Sequence, residues 1–268
     1  MHLTIFLVSE TTPATRMKNN IPKNLRVIIG THAILEALAI RPHAAEELWL
    51  EQGWQSSQVL KKLHAENKSK VRKIEEKPKA VLERLAASHQ GAALLVNETP
   101  TVNWDDLKSK TQSKVVLLDG IEDPHNLGAI LRTSWLMGVD AILIPADRSV
   151  KLTPIVHKVA SGGVEHVPVE ICQNFTNYIE DLKKNDFWVY GLSHTGKGTL
   201  FDLRIAKKIV WCIGAEDKGL RTTTERLCDE LVCIPQTSDA ASYNASVAVG
   251  MALSETARQS KCYLNEHK

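Results

Sequence analysis

The sequence predicts an α/β protein built on a mainly parallel sheet, preceded by a smaller α/β unit. Two observations carry this. From residue 115 onward short runs of Val, Ile and Leu alternate with helical patterns, and near-continuous apolar strands separated by helices belong to a parallel sheet covered on both faces. Between residues 26 and 98 a shorter alternation of β-rich and helical runs stands apart, cut off by the polar stretch TPTVNWDDLKSKTQSK, which lacks a sustained period. The expected organisation is an extension over residues 1–24, a unit over 25–100, a linker over 101–114 and the larger unit over 115–265.

In chain order, LTIFLV is apolar for only six residues, has no basic run before it and is followed by SETTPATRMKNN, so it fails as a signal peptide and residues 1–24 read as a poorly ordered extension. RVIIGTHAILEAL opens the first unit. Strands are expected over 47–51, 71–75 and 92–96, with helices in SSQVLKKLHAEN and KAVLERLAAS. Beyond the linker come VVLLD, NLGAILRTSWLMG, AILIP, PIVHKVASGG, HVPVEIC, FTNYIEDLKKN, FWVYGL, KIVWCIG, TTTERLCDE, LVCIP and a long final helix in SYNASVAVGMALSETARQ.

Composition bounds the function classes. Of 268 residues, 43% are hydrophobic and 24% charged, the balance of a water-soluble chain with one or two cored domains, and no segment approaches a bilayer span, so a cytoplasmic protein without a membrane is expected. Five cysteines at irregular spacing, without CxxC or suitably spaced His partners, suggest neither a disulfide framework nor a metal site. Residues 1–100 hold 14 Lys and Arg against 10 Asp and Glu, and residues 101–268 hold 19 against 21, which points to an anionic partner met first by the N-terminal part.

Ligands of open α/β sheets bind beyond the carboxyl ends of strands, so the strand-to-helix turns are where chemistry is sought. Three are rich in Gly and polar groups: DGIEDPHNLGAILRT, IGAEDKGLR and IPQTSDAASYNAS. None contains GxGxxG, which argues against a Rossmann dinucleotide or methyltransferase site. GLSHTGKGT imitates a P-loop, with Gly191, Gly196 and Lys197, but Gly198 stands where Ser or Thr must reach Mg²⁺. In the first turn Asn126 is placed to cap the helix, and Arg132 follows among Ile130, Leu131 and Leu136, a setting that predicts a buried helix and a costly guanidinium needing a partner such as Glu122 or Asp123. In the second, Glu216 offers a carboxylate; in the third, Ser242 and Asn244 fit caps of the last helix.

Taken together and in this order, N-x-G-x-x-x-R-T, I-G-A-E-x-K-G and I-P…S-x-N-A-S-V-A strongly resemble the three motifs of the SpoU/TrmH (SPOUT) family of RNA 2′-O-ribose methyltransferases. GTHAILEAL and HQGAALL resemble the start and end of the L30e-like RNA-binding domain found in the RlmB type, which modifies 23S ribosomal RNA. The likeness covers roughly residues 28 to 258.

The resemblance implies a C-terminal α/β methyltransferase domain tied in a trefoil knot, an exception to the rule that chains do not knot. It implies S-adenosylmethionine bent in that knot and held largely by loop backbone, and a homodimer packed through helices that include the last one. It assigns Gly214, Ile234 and Tyr243 to the cofactor and Asn126, Arg132, Glu216, Ser242 and Asn244 to the catalytic site, with no metal. In the basic stretch KKLHAENKSKVRKIEEKPK it makes Lys61, Lys62, Lys70 and Arg72 candidate RNA-phosphate contacts. The expected activity is 2′-O-methylation of ribosomal RNA, on a guanosine of 23S RNA, with transfer RNA as the main alternative and a non-catalytic RNA-binding or assembly factor as another. Three positions depart from the family pattern: Asp217 and Ser238 stand for Gly, and Tyr243 for Leu.

Overall fold

The computed structural model describes residues 21–260 apart from 23, 217 and 239. The extension expected at the N-terminus lies outside the described residues up to residue 20, as do Asp217 and Cys262.

The first unit runs β1 (Arg26–Ile29), α1 (Thr31–Ile40), β2 (Ala45–Glu51), α2 (Gln58–Asn67), β3 (Lys73–Lys77), α3 (Lys79–Glu83) and β4 (Ala92–Val96). Its sheet has the order β1-β4-β2-β3, with β2 and β3 parallel and the other neighbours antiparallel. Alternation along the strands explains the two-sided core, because successive side chains point to opposite faces. Ile28, Leu48 and Leu94 pack with Ile34 and Leu38 of α1 and Leu63 of α2, while Ile29, Trp49 and Leu95 pack with Leu82 of α3. The helix expected in KAVLERLAAS keeps only its first five residues.

The second unit contains α4 (Trp104–Ser109), β5 (Ser113–Asp119), α5 (Pro124–Leu136), β6 (Ala141–Pro145), α6 (Pro154–Ala160), α7 (Gly163–His166), β7 (Val169–Cys172), α8 (Phe175–Lys183), β8 (Trp188–Leu192), β9 (Gly198–Thr199), β10 (Lys208–Gly214), α9 (Thr222–Glu225), β11 (Glu230–Cys233) and α10 (Ala245–Ser260). Its seven strands lie in the order β7-β6-β5-β10-β8-β11-β9, and every pairing is parallel, so the predicted sheet is the one observed. One face carries α5, α6, α7 and α10 over a core that includes Val116, Leu118, Leu127, Ile130, Leu131 and Trp211. The other holds Leu107 of α4 and Phe175, Ile179 and Leu182 of α8 against Val115, Leu117 and Leu143.

The stretch read as a linker contains α4, capped by Asn103, because Leu107 with Val102 and Trp104 has an apolar surface to cover. The P-loop imitation is followed by no helix: Gly196 lies against β11, where a Cβ would come within 2.5 Å of the Val232 carbonyl carbon, and the chain goes on as β9.

Candidate active site

The site is set by β5 and β10, which run in register over seven residues, so that Asp119 and Gly214 end side by side. Gly214 can only be glycine there. A Cβ would sit 2.0 Å from the carbonyl carbon of Gly219, since the chain folds straight back, Ala215 and Gly219 exchanging hydrogen bonds at 3.1 and 2.8 Å. Gly219 takes φ +63°, the left-handed region that closes this loop. Arg221 then ties the loop to the end of β5, donating from Nε to Asp119 Oδ1 at 2.5 Å and from its N–H to Oδ2 at 3.0 Å. Asp119 is a member of the site region that motif reading missed; the carboxylate ending the run VVLLD, at a strand's carboxyl end, was the signal.

The loop presents Glu216, on which two distant segments converge. Its Oε1 accepts from Asn126 Nδ2 at 2.7 Å and from Asn244 Nδ2 at 2.5 Å, and Asn244 Nδ2 also donates to Asn126 Oδ1 at 2.9 Å. Ser242 Oγ donates to the Glu216 carbonyl at 3.3 Å. Four of the five residues assigned to catalysis thus form one polar cluster at the carboxyl edge of the sheet. Asn244 also caps α10, its Oδ1 accepting from the N–H of Ser246 at 2.9 Å.

The geometry of α5 differs from the sequence expectation in two respects. Its cap is Asp123, whose Oδ1 accepts from the N–H of His125 at 2.9 Å with Pro124 in the first turn, so Asn126 lies inside the helix and its side chain is free to reach Glu216. Arg132 is exposed, not buried, and among the described residues it has no hydrogen bond or ion pair, to Glu122 and Asp123 included. Leu136 is 70% exposed. Of the three apolar residues that suggested burial, Ile130 and Leu131 are buried, on the face that also carries Leu127, and Leu136 is not. Arg132 stands six residues beyond Asn126, about 9 Å along the helix axis.

The residues assigned to the cofactor lie on both arms of the loop between β11 and α10 and on the hairpin after β10. Ile234 packs against the core, and Tyr243 reaches back across the loop to donate its hydroxyl to the Pro235 carbonyl at 3.1 Å. Residues 235–238 are exposed, and the N–H groups of Gln236 and Thr237 make no hydrogen bond among the described residues. Exposed peptide N–H groups on such a loop suit an amino-acid-bearing nucleoside held by backbone, so these loops fit S-adenosylmethionine. Ser238 does not take a left-handed φ, and its Oγ accepts from the N–H of Ala240 at 3.2 Å, so the loss of glycine there imposes no backbone strain. Asp217 is outside the described residues.

The basic stretch of the first unit is only partly paired within that unit. Arg72 pairs with Glu46 at 3.0 Å, Lys62 faces Glu66 at 3.9 Å, and Lys70 donates to Asn67 Oδ1 at 3.1 Å. Lys61 is exposed and, like Arg132, has no such partner among the described residues.

Comparison with known proteins agrees with this architecture. Residues 113–254 match the family described as SpoU rRNA Methylase, and residues 27–102 match RNA 2′-O ribose methyltransferase substrate binding. The chain is 37% identical over 239 residues to a Staphylococcus epidermidis protein described as a "Putative TrmH family tRNA/rRNA methyltransferase", covering 87% of this chain and 95% of that one. It is 34% identical to the 23S rRNA (guanosine-2′-O-)-methyltransferase RlmB of Pseudomonas putida, covering 88% and 97%. The fold matches the crystal structure of the SpoU methyltransferase AviRb from Streptomyces viridochromogenes in complex with AdoMet, with TM-score 0.78 and 20% identity over 89% of this chain and 91% of that one. The motifs, the sheet and these relatives agree: the chain belongs to the SpoU/TrmH family of RNA methyltransferases.

Proposed function

We propose that the protein methylates a ribose 2′-hydroxyl of RNA using S-adenosylmethionine, with a guanosine of 23S ribosomal RNA as the target. The observation that supports it best is the division of labour at the carboxyl edge of the sheet: Asn126, Glu216, Ser242 and Asn244 bind one another, while the guanidinium of Arg132, on the same helix as Asn126, has no partner among the described residues. The 2′-oxygen must lose its proton as it attacks, so negative charge develops on it. Arg132 is always protonated and therefore acts by stabilising that charge through a charge-assisted hydrogen bond, the proton passing to solvent or an RNA phosphate. S-adenosylmethionine, when bound, supplies an electrophilic methyl group on a cationic sulfur and needs no metal. Gly214, Ile234 and Tyr243 would hold it, and the amides of Asn126 and Asn244 fix the Glu216 carboxylate in one orientation.

Residues 25–100 would hold the RNA, with Lys61 and its neighbours on the phosphates. A homodimer through α5 and α10 accounts for apolar groups left on the surface there, with Leu136 70% and Val247 45% exposed beside Phe201 at 57%. Among the described residues no helix is long and apolar enough to cross a membrane, and a cytoplasmic site of action accords with the substrate.

The test is to incubate the purified protein with radiolabelled S-adenosylmethionine and bacterial RNA lacking ribose methylation, then separate the RNA by size and digest it. Label recovered as 2′-O-methylguanosine from 23S RNA is the expected result. Label in transfer RNA keeps the chemistry and replaces the target; absence of S-adenosylmethionine binding overturns the enzyme reading in favour of a non-catalytic RNA-binding factor.

A further inference from the structure

The two units meet along a seam where β1 and α1 pack on α6 and α7. At its centre is Glu165 of α7, its side chain 2% exposed. It accepts from Arg26 Nη1 at 2.5 Å and Nη2 at 3.1 Å, and from Arg41 Nη2 at 2.6 Å, so two guanidiniums of the first unit close on one carboxylate of the second. Arg26 also donates to the Glu98 carbonyl at 2.9 Å, and Arg41 to that of Glu165 at 2.8 Å. Burial pushes the Glu165 carboxyl up, but the arginine donors outweigh it and hold it below the usual carboxylate range.

The residues around Glu165 touch both sides of the seam. His166 bonds to Glu36 of α1 at 3.0 Å and stacks on Trp135 of α5, ring centroids 4.1 Å apart and planes 8° from parallel. Gly162, at φ +104°, leaves no space towards α1, since a Cβ would come within 2.5 Å of Glu36 Cγ. Gly163 lies against α5 in the same way, its Cβ position 2.7 Å from the Leu131 carbonyl oxygen and 3.0 Å from the Arg132 nitrogen. Between them, residues 162–166 grip the first unit on one side and the backbone of Arg132 on the other.

We propose that residues 162–166 couple the RNA-holding unit to the helix that carries Arg132, with Glu165 and His166 as positioning residues for methyl transfer; this rests on the part given to Arg132 above. The physical basis is that the segment has no slack. A bidentate guanidinium fork fixes angle as well as distance, and a displacement of α1 at Glu36 has only the four-residue α7 between it and α5. A buried ion pair is made or broken rather than stretched, which suits two discrete arrangements of the seam.

The experiment compares the full chain with Glu165→Gln and His166→Ala, measuring methylation kinetics on the RNA found above, S-adenosylmethionine affinity by calorimetry, and hydrogen exchange of α1 and α5 without RNA. Both variants should speed exchange in α1 and α5 together, and kcat/KM for RNA should fall about tenfold, mainly through kcat. S-adenosylmethionine affinity should stay within about twofold. Faster exchange confined to α1, or unchanged kcat/KM, overturns the coupling and leaves the seam a structural contact only. Should Glu165→Gln not fold, His166→Ala carries the same test, because His166 is 23% exposed on its side chain and holds no buried charge pair. If the parent protein methylates no RNA, the reading of Arg132 fails, while the exchange comparison still decides whether α1 and α5 are linked.

Discussion

Glu165 and Glu216 are each gripped by two side chains from distant parts of the chain, yet the grips differ in charge. Glu165 is buried between Arg26 and Arg41, and its negative charge is cancelled where it stands. Glu216 is exposed and held by the neutral amides of Asn126 and Asn244, so its charge remains, oriented but not cancelled. The same contrast separates Arg132, which has no partner among the described residues, from Arg72, which is paired with Glu46. A carboxylate countered by buried guanidiniums holds parts of a fold together; an exposed one held by neutral amides can act on something else.

The largest effect expected from this contrast is at Arg132. Arg132→Ala should lower the methylation rate about 10²- to 10³-fold, the cost of losing one donor to a developing oxyanion, with RNA retention on filters little changed. An equal loss of RNA binding would make Arg132 one phosphate contact among many. Glu216→Gln keeps an oxygen for Asn126 and Asn244 and removes only the charge; activity should fall about tenfold, with the melting temperature shifted by less than about 2 °C. A large loss of thermal stability would put Glu216 in the same class as Glu165.

The seam predicts a separate pH dependence. His157 is fully buried, its Nε2 lacks a partner, and burial together with the Arg26 charge pushes its imidazole down to about 3 from 6.5. The unfolded chain takes up a proton below 6.5 that the folded chain refuses, so stability should fall as pH drops from 6.5 towards 3. The loss approaches about 1.4 kcal/mol per pH unit well inside that window, and denaturant melts of His157→Phe should show a shallower decline. Glu165 behaves differently: its carboxyl is depressed from 4.5, so its contribution is complete above that value and is lost only as pH falls through the lower, folded value. The smallest effect belongs to the first unit's surface. Lys61→Ala with Lys62→Ala should reduce the slope of log affinity against log salt by about one to two, and an unchanged slope removes this helix face from the RNA path.

Much of this was legible from residues. Alternation of apolar runs with helical patterns gave the parallel sheet, and three motifs picked out Asn126, Glu216, Ser242 and Asn244, which the fold brings together. Burial of Arg132 was misread because local apolarity does not say which helix face carries which residue: Leu131 is buried and Arg132, one position on, is exposed. The cap went to Asp123 because Pro at the following position fixes the first turn. The seam was invisible for another reason: Arg26, Arg41 and Glu165 are separated by up to 139 positions, and each alone is an ordinary charged residue.

The strand order has a consequence for how the protein is made. β10 lies between β5 and β8, and it follows both in the chain. A ribosome therefore releases β5 and β8 before the strand that joins them, and until residues 208–214 emerge both have an open edge where β10 will lie. Such edges recruit other strands. Distant parallel pairings also form slowly. Synthesis rate and chaperone supply should accordingly govern the yield of this protein, with truncation before residue 208 leaving an aggregating product instead of a smaller folded one.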